Sequence, residues 1–91
     1  MQQKKNNKKA LLIRHIGATI KKRRMEKTNH SQTAFAYGND LNKGTLSRLE
    51  AGIFEPKIST LWKIAEAFDI PMSELIKEIE NELPKGFCLT E

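Results

Sequence analysis

The stretch from Ser31 to Glu50, SQTAFAYGNDLNKGTLSRLE, predicts two short helices joined by a tight turn. Ser31 is a favourable N-cap for the first helix, because its side-chain oxygen can accept a hydrogen bond from a backbone N–H that the helix leaves unsatisfied. Phe35 and Ala36 then fall on one face of that helix. Residues 38–40, Gly-Asn-Asp, tolerate turn and left-handed backbone angles, so we expect the chain to bend there.

The second helix of this stretch is predicted over residues 43–51. Asn42 can cap its first turn, and Gly52 can end it in a left-handed conformation. Leu46 and Leu49 share one face of the helix. We therefore expect the helix to pack on the core through its leucines.

The opposite face carries small polar and basic residues: Lys43, Gly44, Ser47 and Arg48. A helix with an apolar inner stripe and a polar outer face fits the major groove of DNA, where base edges present a distinguishable pattern of donors and acceptors. Lys43 and Arg48 can both donate to O6 and N7 of guanine. Ser47 can contact a base or the DNA backbone, and Gly44 permits close approach. We expect these four residues to read bases; the alternative is a polar face that contacts only solvent.

A longer motif surrounds the two helices. Its residues are Ser31-Gln32, Phe35-Ala36, Thr45-Leu46-Ser47, Leu49-Glu50, Gly52 and Pro56, followed by Thr60-Leu61 and Lys63-Ile64-Ala65. With this motif the chain resembles the Cro/repressor-type (XRE-like) helix-turn-helix proteins of phages and bacteria, over residues 16–76. The resemblance implies an all-α fold: a compact five-helix domain like that of lambda repressor, with the helix-turn-helix at its second and third helices.

The resemblance also suggests residues that contact the DNA backbone. Gln32 matches a family position whose side chain commonly binds a phosphate, and it lies at a helix N-terminus, which favours anions. The alternative for Gln32 is an ordinary polar helix residue. We expect Asn42 and Thr45 to hold phosphates as well. Related proteins often carry a basic residue where Ile53 and Phe54 stand, and we expect Lys57 to supply the positive charge in its place.

An internal ion pair and an altered turn are further implications of the resemblance. In related proteins an arginine at the position of Arg24 pairs with a glutamate near the end of the recognition helix, here Glu50. Such a pair would fix the angle between the helices. Asp40 stands where the family usually has glycine, so the turn could instead be shifted towards Gly38.

Basic residues are concentrated at the start of the chain, whose net charge is +5. Residues 1–30 contain ten Lys or Arg and one acidic residue, whereas residues 58–91 contain three Lys or Arg and seven acidic residues. A basic surface favours encounter with a polyanion through counterion release, and the acidic end should face away from it. The alternative for the Lys-rich start is a solvated, disordered tail.

The 91 residues suffice for one small domain. We divide the chain into a disordered basic arm over residues 1–9, a helix-turn-helix domain over residues 10–83, and a C-terminal tail over residues 84–91 that we place in a dimer contact. The first helix is expected to begin at Ala10, where apolar residues start to recur at helical spacing.

Pro71 suits the first turn of the last predicted helix, which extends to Leu83. Its apolar stripe is longer than a small domain needs, so part of it could pair with a second copy of the chain. Its outer face is expected to carry three glutamates: Glu74, Glu78 and Glu82.

The sequence gives no indication of an enzyme or of a cofactor. His15, His30 and Cys88 are too scattered for a metal site, and no glycine-rich phosphate loop, nucleophile elbow or convergent carboxylate pair is present. No apolar run approaches the roughly 20 residues that span a bilayer, and no export signal is evident. We expect a cytoplasmic protein that does not bind a membrane.

The function predicted from these features is sequence-specific binding of double-stranded DNA by a dimeric transcriptional repressor that recognises a palindromic operator. A small-molecule effector is not expected, because the chain has no room for a second domain. The alternative is a protein-binding adaptor or antitoxin-type co-regulator with the same fold. In that case Ile53 and Phe54, which replace basic residues of related proteins, would contact the partner.

Overall fold

The computed structural model describes the backbone of residues 2–90 and the side chains of residues 7–90. Five α-helices make up this part of the chain, and no β-strand occurs in it. The helices are α1 (Gln2–Arg23), α2 (Gln32–Tyr37), α3 (Lys43–Glu50), α4 (Ile58–Ala67) and α5 (Met72–Glu82), with one π-helical turn (Arg24–Thr28) after α1. The predicted all-α, five-helix fold is therefore confirmed.

The first helix is longer than the sequence pattern predicted. The pattern gave a disordered arm over residues 1–9 and a helix from Ala10, whereas α1 begins at Gln2. Apolar periodicity marks only the part of a helix that packs on other residues, and the stretch before Ala10 contains no glycine or proline that would stop a helix. Residue 1 and the side chains of residues 2–6 lie outside the described residues, so contact of a basic arm with DNA stays a prediction.

Every helix contributes to one hydrophobic core. Its buried members are Ile20, Phe35, Ala36, Leu46, Leu49, Leu61, Ile64, Ala65, Leu75 and Ile79. The ring of Phe35 also contacts that of Phe68, with the ring centroids 5.0 Å apart and the planes tilted by 39°. Isolated helices shorter than about 12 residues are marginal in water. Because α2 and α3 have six and eight residues, they depend on this core for stability.

Gly17 brings α1 directly against the end of α3. A Cβ atom at this position would lie 2.1 Å from the carbonyl oxygen of Leu49 and 3.0 Å from that of Glu50, well inside van der Waals contact. The absence of a side chain therefore lets the two backbones touch. Helical periodicity gives no indication of this contact, because glycine adds nothing to an apolar pattern.

The glutamates of α5 pair with basic residues at the end of α1. Arg23 pairs with Glu78 and lies 3.9 Å from Glu74, while Lys22 lies 3.5 Å from Glu82. The sequence predicted that the acidic face of α5 faces only solvent. This face is instead partly covered by α1. The prediction considered the periodicity of α5 alone and could not include the helix that packs beside it.

The apolar stripe of α5 is used mostly within the chain. Leu75 and Ile79 are buried in the core, whereas Ile76 keeps 41% of its surface exposed. The tail after α5 turns back, and the N–H of Phe87 donates to the carbonyl oxygen of Pro84 at 3.0 Å. This helix therefore offers less apolar surface to a second copy than its sequence pattern predicts.

Candidate nucleic-acid interface

The two helices of the motif begin with the side-chain caps that the sequence indicates. Ser31 Oγ accepts a hydrogen bond from the N–H of Ala34 at 3.1 Å, and Asn42 Oδ1 accepts one from the N–H of Thr45 at 3.0 Å. Each cap satisfies a backbone donor that has no partner within the helix. The predicted starts of both helices are therefore confirmed.

The turn between α2 and α3 is centred on Asp40. This residue has a φ of 56°, in the left-handed region, while Gly38 has an ordinary φ of −80°. Asp is one of the few residues besides glycine that visit this region. Lys63 of α4 contacts the same residue, with its Nζ 3.5 Å from Oδ2 and 3.4 Å from the carbonyl oxygen. The aspartate therefore occupies the left-handed position itself, and the turn is not shifted to the neighbouring glycine.

Opposite sides of α3 face the core and the solvent. Leu46 and Leu49 are only 2% and 1% exposed. The four residues assigned to base readout are exposed or half-buried: Lys43, Gly44, Ser47 and Arg48. The helix therefore has the orientation that the leucine spacing predicts, with its basic side chains accessible.

Arg48 lies close to an aromatic ring and to a glycine. Its guanidinium carbon is 5.9 Å from the centre of the Phe54 ring, close enough for a cation–π interaction. Arg48 Nη1 also lies close to Gly44, where a Cβ atom would be 3.4 Å away, about the distance of an ordinary van der Waals contact. Within residues 7–90 no carboxylate forms an ion pair with Arg48. Its N–H donors are therefore available to a ligand.

A left-handed glycine reverses the chain after α3. Gly52 has a φ of 74°, and its N–H donates to the carbonyl oxygen of Leu49 at 3.0 Å. The N–H of Ile53 donates to the carbonyl oxygen of Arg48, also at 3.0 Å. This pattern commonly closes the C-terminus of a helix and favours glycine. Phe54 then packs against the core, whereas Ile53 remains 69% exposed.

A buried ion pair joins the π-helical turn after α1 to the end of α3. Arg24 donates through Nε and Nη2 to the two carboxylate oxygens of Glu50, at 2.8 and 2.9 Å, and the two side chains are 8% and 1% exposed. Arg24 Nη1 also donates to the carbonyl oxygen of His30 at 2.7 Å. Hydrogen bonding to Glu50 raises the pKa of the Arg24 guanidinium above its ordinary value. The pair thus fixes α3 relative to α1.

Gln32 takes part in the same network. Its Nε2 donates to a carboxylate oxygen of Glu50 at 2.9 Å, and the side chain is half-buried. The amide is therefore directed at the ion pair, an internal role that the family resemblance does not suggest. Its contact with a phosphate stays a prediction.

The other residues assigned to phosphates lie at the starts of α3 and α4. Asn42 uses its side-chain oxygen for the cap, which leaves its amide nitrogen as a donor. Thr45 is half-buried in the first turn of α3, and Lys57 is exposed immediately before α4. Helix starts favour anions because backbone N–H groups and the helix dipole converge there.

Residues 20–75, from the end of α1 into α5, match the model of the helix-turn-helix family. The chain belongs to the helix-turn-helix family. Its members are DNA-binding regulators of transcription and not enzymes. All residues assigned above to bases, phosphates and the buried ion pair lie in the matched segment.

Two named proteins are similar to this helix-turn-helix protein. The control protein C.MunI of Mycoplasma sp is 39% identical over 67 residues, which cover 74% of this chain and 90% of that protein. The HTH-type transcriptional regulator SutR of Escherichia coli (strain K12) is 29% identical over 76 residues, which cover 84% of this chain and 42% of SutR. The predicted resemblance to Cro/repressor-type helix-turn-helix proteins is confirmed.

Neither a metal site nor a membrane-spanning helix is found in the described part of the helix-turn-helix protein. No group of three or more His, Cys, Asp or Glu side chains in that part is placed to hold a metal ion. None of its helices is both long and apolar enough to cross a membrane.

Sequence reasoning missed the aromatic neighbour of Arg48 and the role of Arg23. The position of Phe54 shortly after Gly52 could have indicated its contact with Arg48, because a helix-ending glycine turns the chain back towards the helix. No local signal indicated the second, since Arg23 and Glu78 are 55 positions apart.

Proposed function

We propose that this protein binds double-stranded DNA sequence-specifically and represses transcription as a homodimer, with α3 inserted into the major groove. The observation that carries the proposal is the accessible face of α3, where Lys43 and Arg48 are exposed while the leucines behind them are buried. The proposal requires no cofactor or small-molecule effector, and it places the protein in the cytoplasm with the DNA.

The dimensions and support of α3 suit a major groove. An α-helix with its side chains is about 10–12 Å in diameter, and the major groove is about 12 Å wide, so the eight residues of α3 can lie within it. The ion pair between Arg24 and Glu50 holds the helix at a fixed angle. A helix that is already fixed loses less conformational entropy on binding.

Side chains on and around α3 would divide the contacts between bases and phosphates. Arg48 would donate two hydrogen bonds to O6 and N7 of one guanine, and Lys43 would donate to a neighbouring base. Ser47 would contact a base or the backbone, and Gly44 would permit close approach. Four residues would bind the flanking phosphates: Gln32, Asn42, Thr45 and Lys57.

Exposed apolar residues on α4 support the homodimer. Ile58 and Trp62 are 68% and 53% exposed and lie four positions apart, so they share one face of the helix. An exposed apolar surface of this kind commonly marks a protein contact. Two copies would place their α3 helices about 34 Å apart, one turn of B-DNA, on a palindromic operator.

Selection of bound fragments from random duplex DNA, followed by substitution of Arg48, tests the proposal. We expect Arg48→Ala to weaken binding to the selected sequence by about 1–3 kcal/mol and to relax discrimination at one base pair. Lys77→Ala, which removes a positive charge from an exposed position on α5, should change neither. The proposal is contradicted if the wild-type protein selects no sequence, or if Arg48→Ala binds the selected sequence as the wild type does.

A protein-binding adaptor or antitoxin-type co-regulator is a second candidate because of Ile53. This residue is 69% exposed at the end of α3, and an apolar side chain there suits a protein partner better than a phosphate. If this candidate were correct, Ile53→Ser would abolish a protein complex, and Arg48→Ala would have no effect on binding to any DNA sequence.

A further inference from the structure

We infer that Phe54 is a positioning residue for DNA recognition, whose ring holds the guanidinium of Arg48 at the outer face of α3. The inference rests on the proposed function and adds a residue that affects specificity without contacting a base. Three observations support it: the contact itself, the placement of the ring against the core, and the lack of a carboxylate partner for Arg48 among residues 7–90.

The contact places the guanidinium over an aromatic ring. The guanidinium carbon of Arg48 is 5.9 Å from the centre of the Phe54 ring, and cation–π attraction is significant within about 6 Å. A Cβ atom at position 44 would lie 3.4 Å from Arg48 Nη1, and Gly44 leaves that position empty. The guanidinium therefore lies close to both the ring of Phe54 and the first turn of α3.

The ring itself has little freedom to move. Phe54 packs against the hydrophobic core, and the left-handed Gly52 directs the chain back towards α3. The hydrogen bond from the N–H of Ile53 to the carbonyl oxygen of Arg48 ties this loop to the residue that the ring contacts. The ring is therefore the fixed partner, and the arginine side chain is the mobile one.

Among residues 7–90, no carboxylate competes with the ring for Arg48. Arg24 is held by Glu50 and Arg23 by Glu78, whereas Arg48 pairs with no carboxylate of residues 7–90. An unrestrained arginine would sample many rotamers and lose that freedom on binding a base. The ring reduces this loss, because it restricts the side chain before DNA arrives.

A guanidinium can contact the ring and a guanine at the same time. Its five N–H donors lie in its plane, so they can bind O6 and N7 along the edge while the face stacks on a ring. Phe54 therefore favours the same orientation in the free and the bound protein. Because the ring has no charge, its contribution should be confined to the base pair that Arg48 reads.

A double-mutant cycle on Phe54 and Arg48 tests the inference. Phe54→Leu, Arg48→Ala and the double variant are titrated with the selected duplex and with the same duplex altered at the base pair that Arg48 reads. We expect Phe54→Leu to weaken binding to the selected duplex about two- to fivefold. Phe54→Leu should not change the affinity for the altered duplex. In the Arg48→Ala background it should not change the affinity for either duplex. Phe54→Tyr keeps the ring and should bind like the wild type.

A measurement without DNA tests the contact separately. The ring current of Phe54 should shift the Nε–H resonance of Arg48 upfield in heteronuclear NMR spectra of the free protein. Phe54→Leu should abolish this shift, and Phe54→Tyr should retain it. Thermal unfolding of each variant reports any change in the stability of the fold. A purely structural role of Phe54 would lower this stability.

Two results would overturn the inference while leaving DNA binding intact. One is unchanged affinity of Phe54→Leu for the selected duplex. The other is a loss that affects both duplexes equally or persists in the Arg48→Ala background, because Phe54 would then act on the fold as a whole. If the wild-type protein selects no duplex, the proposed function fails and the inference fails with it.

Discussion

Two groups of basic side chains occupy opposite environments in this protein. Where α1 passes into the π-helical turn, Arg23 and Arg24 are 13% and 8% exposed and pair with carboxylates of α5 and α3. On the outer face of α3, Lys43 and Arg48 are exposed, and no carboxylate of the described residues pairs with either of them. The first group joins helices, whereas the second leaves its donors exposed to solvent.

The difference shows that charge density along a sequence does not by itself identify a DNA-binding surface. Residues 1–30 hold ten of the sixteen Lys and Arg, yet the two arginines in the densest run of that segment are used inside the fold. An arginine that is largely buried and paired with a carboxylate, as these two are, has few donors left for DNA. The exposure and the ion-pair partners of each basic residue are therefore better criteria for proposing DNA contacts than the number of charges.

Removal of Glu50 should disrupt the buried ion pair with Arg24 and give the largest loss of stability. Glu50→Ala leaves Arg24 buried and charged without its partner, which typically costs about 3–5 kcal/mol. We expect urea denaturation to show a loss of this size in the free energy of unfolding. Glu55→Ala is the matched control, because Glu55 pairs with Lys9 at 3.4 Å with both side chains 60% exposed. Such exposed pairs contribute about 0–1 kcal/mol, so equal losses in the two variants would contradict the distinction.

A smaller loss is expected from a methyl group at the junction of α1 and α3. Gly17→Ala forces the two backbones apart, because its Cβ would overlap the carbonyl oxygen of Leu49. Overpacking of this kind costs about 1–3 kcal/mol, measurable as a lower midpoint of denaturation. Gly38→Ala is the control, since its Cβ would meet only an ordinary contact of 3.7 Å. A Gly17→Ala variant as stable as the control would show that the junction can relax.

Gln32 is half-buried and donates a hydrogen bond to the buried ion pair. Its substitution should give the smallest loss of stability. Gln32→Ala removes one hydrogen bond to Glu50, and we expect the free energy of unfolding to fall by about 1 kcal/mol. If the amide also binds a phosphate, the affinity for every DNA sequence should fall alike. Thr33→Ala, at an exposed neighbouring position, should change neither quantity. Reduced stability with unchanged DNA affinity would leave Gln32 with the internal role alone.

Features that depend on neighbouring residues could be predicted from the sequence. The caps at Ser31 and Asn42 act on N–H groups three positions away, and the spacing of Leu46 and Leu49 determines both faces of α3. Asp40 shows the limit of such reasoning, because the left-handed position could equally have fallen on a nearby glycine.

Contacts between distant segments could not be predicted from local pattern. Arg23 meets Glu78 across 55 positions, and Gly17 meets α3 through an absent side chain that leaves no periodic signal. In the candidate site, the accessible face of α3 followed from the leucines. The placement of Phe54 beside Arg48 required the three-dimensional path of the chain after Gly52.

The short length of α2 and α3 has a consequence for the lifetime of the protein. Helices of six and eight residues are not stable once the core opens, so an unfolded chain has no recognition helix with which to bind a specific DNA sequence. A ligand that binds only the folded state stabilises it, by about 2.7 kcal/mol at a hundred times its dissociation constant. Under the proposed function, molecules bound at an operator should therefore resist proteases longer than unbound ones, and occupancy of the site would itself regulate how fast the repressor is removed.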